Sequence, residues 1–79
     1  MSDGPVSVRW TLHALGKAER LGYTREWIEQ TVLEDHRKRI RNAGSAGWCL
    51  ARGRLVVVYE HPDDGDALRA RIVTLWRRR

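Results

Sequence analysis

The chain contains no phenylalanine and a single cysteine, Cys49, among its 79 residues. One thiol cannot form a disulfide within the chain, so a reduced cytoplasm is the natural setting. Long apolar runs are also missing. The longest, Leu55-Val56-Val57-Val58-Tyr59, is far too short to span a bilayer, so a membrane is not expected as a partner. The N-terminus Met1-Ser2-Asp3-Gly4-Pro5 has neither a basic nor an apolar stretch, so no secretion signal is expected. There is no Gly-rich phosphate loop and no Gly-x-Ser-x-Gly elbow. His13, His36, Cys49 and His61 share no spacing of metal-ligand type, so neither a metal nor another cofactor is expected.

What the chain does have is charge sorted by position. Residues 1–35 carry 4 basic and 6 acidic side chains, net −2; residues 36–79 carry 11 and 4, net +7. The excess begins at His36-Arg37-Lys38-Arg39-Ile40-Arg41 and ends at Arg77-Arg78-Arg79. A basic half this dense points to a polyanion, above all a nucleic acid. The competing reading is an ordinary arginine-rich surface. An apolar share of 42%, with four Trp and two Tyr, is enough for a folded core. A chain this short makes one domain, 1–79, and a homodimer or other stabilising partner would suit it.

Residues 1–5 read as a flexible start, and Val6–Trp10 alternates weakly as a short strand or lead-in. From Thr11 to Leu21 the period changes: Leu12, Ala14, Leu15, Ala18 and Leu21 fall within one half of a helical wheel. Gly22 is placed to end that helix and Thr24 to cap the next. Over 24–33, Trp27, Ile28, Thr31 and Val32 share a face, completing a helix hairpin over 11–33. Residues 36–77 then read as an antiparallel sheet. The basic run 36–41 is an edge strand or exposed arm, and 42–47 is a loop. Strands 48–51 and 54–60 meet at an Arg52-Gly53 turn. Since 54–60 is β-branched on both faces, it should be central. The turn-rich 61–66 leads to a last segment rich in β-formers. As a strand, it places Leu68, Ala70, Ile72, Thr74 and Trp76 on the core face and Arg69, Arg71, Val73, Leu75 and Arg77 on the other. A helix capped by Asp66 is the alternative. The expected class is α+β, two helices on a small curved sheet.

Three residues of the first helix could carry chemistry. His13, Lys17 and Arg20 lie within a narrow arc of its polar side. Metal-independent RNA cleavage needs such a set: a group to move a proton, and cations for the charge that builds on phosphate. A solvated helix face is the plain alternative. Arg69, Arg71 and Arg77, with Arg54 from the neighbouring strand, form an expected stripe for a phosphate backbone. Arg37, Lys38, Arg39 and Arg41 would add diffuse attraction. Trp27 and Trp76 are expected in the core, Trp48 either in the core or as a half-exposed stacking platform. Cys49 is expected to be buried and inert.

Taken together, Leu12-His13-Ala14, Lys17, Gly22-Tyr23-Thr24, Ile28, Arg54–Glu60 and Ile72-Val73-Thr74-Leu75-Trp76 resemble a family of uncharacterised bacterial domains. That family opens with a His-Ala helix and ends on an Ile-Val-Thr-Val-Tyr-type strand. It is similar to the BrnT and RelE/ParE toxins. The resemblance covers residues 11–76 and implies two helices on a curved antiparallel sheet. It also implies a ribonuclease toxin acting on RNA, at the ribosome or free of it, with a neutralising antitoxin protein. His13 and Lys17 match the family's helical His and basic residue. Leu21 stands where the family has Arg before the turn glycine, with Arg20 one place earlier, and Tyr23 replaces an aliphatic residue. The runner-up is a non-catalytic module of the same fold that binds nucleic acid or protein.

Overall fold

The computed structural model describes Pro5 and residues 7–41, 47–61 and 69–78. The expectations for the N-terminal residues, the loop 42–47 and the turn 61–66 lie largely outside these. The elements in chain order are β1 (Ser7–Trp10), α1 (Leu12–Leu21), α2 (Arg25–Asp35), a single 3-10 turn (His36–Lys38), β2 (Ile40–Arg41), β3 (Trp48–Arg52), β4 (Leu55–Glu60) and β5 (Arg69–Arg77). The five strands form one sheet in the order β1-β5-β4-β3-β2. All neighbours are antiparallel except β1, which runs parallel to β5, with Arg9 opposite Arg71. The sheet is therefore mixed. Its parallel edge escapes a local reading, because residues 7 and 69 are paired by the fold and not by a hairpin.

The helices start where side-chain caps are available. The Thr11 hydroxyl accepts from the Ala14 amide at 3.1 Å, and that of Thr24 accepts from Trp27 at 3.2 Å. Helix α1 ends at Gly22, whose φ of 83° is strained for any residue with a Cβ. The Tyr23 amide then bonds the Ala18 carbonyl at 3.0 Å. Ala14 and Ala18 of α1 and Ile28, Thr31 and Val32 of α2 are buried, so the helices bring small and branched residues onto the sheet. They meet Leu50, Leu55, Val57, Tyr59, Ala70, Ile72 and Leu75 in one core. Trp27 is not part of it: the residue is 37% exposed and stacks on Tyr23 at 5.3 Å.

Strand β4 is central and buried from Leu55 to Tyr59. The hairpin turn lies one residue later than the sequence indicates. Gly53 adopts φ 60°, and Arg52 remains in β3 because its guanidinium is held by Asp35 at 2.9 Å and Glu34 at 3.1 Å.

The segment 69–77 is a strand, but its alternation breaks midway. Val58 pairs with Thr74 and Tyr59 with Ile72, so Val73 is an extra residue, a β-bulge. Before it, Ala70 and Ile72 are buried; after it, Leu75 is buried and Trp76 is 39% exposed. Strict alternation places Thr74 and Trp76 on the core face and Leu75 off it, and the bulge reverses both assignments.

Candidate functional site

The helices cover one face of the sheet. The other, open face carries the residues that alternate with the core. At the end where β1, β5 and the close of β4 meet, it presents Arg9, Arg69, Arg71 and Glu60. Arg71 is ion-paired to Glu60, its Nε donating at 3.1 Å. Toward the other end it presents Thr74, Trp76, Val56, Cys49, Ala51 and Ile40. Open-face charge and open-face apolar surface are thus segregated, with Thr74 between them.

His13 reaches this boundary. Thr11 caps α1 and also grips the bulge, its hydroxyl donating toward the carbonyls of Ile72 and Val73, each at 3.1 Å. Its amide bonds the Ile72 carbonyl at 3.1 Å as well. The first turn of α1 is thereby fixed against β5, and His13 Nε2 lies 3.1 Å from Thr74 Oγ1. The bulge matters here, because it turns Thr74 onto the face that carries Arg71. His36 and His61 are committed to backbone: each lies with Nδ1 against a carbonyl, Leu33 at 3.2 Å and Arg69 at 2.7 Å. His13 differs, since its partner is a hydroxyl that can donate or accept.

The other expected site residues separate into groups. Lys17 lies half-buried one turn further along α1, and Arg20 is exposed in its last turn, where a cation also suits the helix dipole. Arg69 and Arg71 share the open face. Arg77 does not share it: the bulge puts it in phase with the buried Leu75. Arg54 does not join them either. It lies in the β3–β4 turn, where its carbonyl accepts from the Arg78 amide at 2.6 Å, at the opposite end of β5 from Arg69. Arg39 and Arg41 face the helix side, their guanidinium carbons 4.3 and 4.1 Å from the Trp48 ring centre. Trp48 is half-buried, packed on the core beneath these two cations. Arg37 and Lys38 are exposed on the 3-10 turn.

Sequence reasoning missed Arg9, Thr74, Trp76 and Arg78. Arg9 enters only through parallel pairing, and Thr74 and Trp76 only through the bulge. Arg78 comes with Lys38 to the rim of a hollow of about 300 Å³ on the open face, walled by Trp76 and floored by Ile40, Cys49 and Val56. Cys49 is therefore half-buried in a surface hollow rather than sealed in the core. Among the described residues no group of three His, Cys, Asp or Glu is placed to hold a metal, and no helix is long and apolar enough to cross a membrane.

No protein-family model matches the chain, and no curated protein sequence matches it. In three dimensions it is similar to a chain in the crystal structure of the toxin–antitoxin complex RelBE2 from Mycobacterium tuberculosis. The TM-score is 0.66 at 17% sequence identity, over 98% of this chain and 95% of that one. Two helices on a five-stranded mixed sheet, superposing along nearly its whole length, give this chain a RelE-like fold.

Proposed function

We propose that this protein is a toxin-type endoribonuclease that works without a metal, with His13 as its proton-transfer group. The observation that carries the reading is the position of His13. It is anchored to Thr74 on the one sheet face that also presents Arg69, Arg71 and Arg9. An RNA strand laid across that face would bring a phosphate to the arginines and its neighbouring 2′-hydroxyl to the imidazole. His13 would take the 2′-OH proton as the 2′-oxygen bonds to phosphorus and the bond to the 5′-oxygen breaks. The leaving oxygen then takes up a proton, from the imidazolium or from water. Arg71, held in place by Glu60, and Arg69 would stabilise the extra charge on phosphorus. Lys17 and Arg20 extend the cationic track along α1, and Lys38 with its basic neighbours Arg37, Arg39 and Arg41 adds long-range attraction. Arg54 and Arg77 would contribute at the far end only. A neutralising protein partner in the cytoplasm belongs to the same reading, since the similar chain was solved inside a toxin–antitoxin complex.

The test is cleavage of single-stranded RNA, in the presence of a chelator, by wild type and His13→Ala. Wild type should cleave with the chelator present. His13→Ala should lose about 100-fold or more of the rate, and induced expression of wild type, unlike the variant, should arrest bacterial growth. Equal cleavage by the two proteins would overturn the role of His13.

A further inference from the structure

The hollow beside Thr74 has no part in the chemistry just described, and its composition is unusual for a sheet surface. Ile40 is 67% exposed and Trp76 39%, and between them lie Cys49 and the well-covered Val56. Cations close two sides: Lys38 from the 3-10 turn and Arg78 from the end of β5, whose Nη2 is fixed on the Gly53 carbonyl at 2.8 Å. A flat indole on an apolar floor between two cations is the chemistry that takes up an unstacked nucleobase and the phosphates on either side of it. Trp76 stands two residues from Thr74 on the same face, about 7 Å along the strand. The hollow is therefore about one nucleotide away from His13.

We infer that this hollow is a nucleobase subsite: Trp76 stacks one splayed base of a single-stranded RNA next to the cleavage position, while Lys38 and Arg78 hold its flanking phosphates. The inference rests on the ribonuclease reading for its orientation, but not for the binding itself. A volume of about 300 Å³ is room enough for one base with its ribose. An acidic, aliphatic protein segment would also find an apolar floor here. It would not need a planar ring beside the proton-transfer group, and for that reason the nucleotide is the occupant assigned.

The experiment measures binding of a short single-stranded RNA at low salt to wild type, Trp76→Ala and Trp76→Tyr. The same RNA carrying one abasic position in each register is measured alongside. Cys49, the chain's one thiol, supplies a readout in the unaltered protein, since its alkylation reports occupancy of the hollow. Trp76→Ala should bind about 10-fold more weakly, as expected for one lost base stack, and Trp76→Tyr should retain most of the affinity. Intact RNA should slow Cys49 alkylation, and the abasic RNA that removes the stacked base should do so far less; inorganic phosphate should have no effect. If RNA binds wild type while Trp76→Ala binds equally and Cys49 stays unprotected, the subsite is overturned and the ribonuclease reading stands. If an acidic peptide protects Cys49 and RNA does not, the hollow is a protein-docking site and the inference fails. If wild type binds no RNA at all, the subsite is overturned together with the ribonuclease reading.

Discussion

Leu75 and Trp76 are adjacent, and the bulge at Val73 gives them opposite fates. Leu75 is fully buried and should cost about 2–5 kcal/mol when cut to Ala, because the tight core cannot close the cavity. Trp76 is 39% exposed, and Trp76→Ala should cost about 1 kcal/mol. Urea denaturation of the two variants tests this; a Trp76→Ala loss equal to that of Leu75→Ala would place the indole in the core. His13 is exposed, so His13→Ala should leave the unfolding midpoint within about 0.5 kcal/mol of wild type while removing activity. Loss of fold in that variant would mean the imidazole is a strut for the α1–β5 contact.

At the level of elements, Thr11 does two things. It caps α1 and holds the carbonyls of Ile72 and Val73 at the bulge. Thr11→Ala should therefore cost about 1–2 kcal/mol, and a Thr11→Ser variant that keeps the hydroxyl should recover most of it. Because the first turn of α1 carries His13, Thr11→Ala should also lower cleavage, whereas Glu19→Ala, an exposed change outside the proposed site, should not. The junction of α2 with β3 is ionic. Hydrogen bonds from Gln30 and Arg52 hold the Glu34 carboxyl below its ordinary value, and a hydrogen bond from Arg52 does the same for Asp35. Carboxyls held low in the folded state favour folding fully above their ordinary values, 4.5 and 3.8. That contribution is lost as pH falls through the lowered ones. The melting temperature should fall on acidification below about pH 4.5, more steeply in wild type than in Arg52→Met. Identical acid profiles would show that the ion pairs do not couple to folding.

For the molecule as a whole, the net charge is +5. Among the described residues, cations stand on the open face, at the hollow's rim and on the Trp48 side of the sheet. RNA binding should weaken steeply as salt rises, because each neutralised phosphate releases counterions. Arg9→Ala, Arg69→Ala and Arg71→Ala should each flatten the slope by about one unit, and Arg77→Ala should flatten it less, since it is out of phase with them. Equal effects from Arg71 and Arg77 would show that the strand face does not organise the contact.

The sequence by itself determined the parts governed by near neighbours. Both helices, the Gly22 stop, the Thr24 cap and the central place of 55–60 are written in periodicity and capping chemistry, which act within a few residues; the last segment reads as a strand with a helix as its alternative, and pairing with β4 and β1 makes 69–77 a strand. His13 could be singled out because a helix wheel is a local object. The tertiary structure decided what depends on residues far apart in the chain. Parallel pairing of β1 with β5 brought Arg9 beside Arg71. One extra residue at Val73 exchanged the faces of Thr74, Leu75 and Trp76 and separated Arg77 from Arg71. Strand alternation has a period of two, so a single unpaired residue inverts every assignment after it. No local pattern announces that residue, because what holds it is Thr11, some sixty positions earlier in the chain.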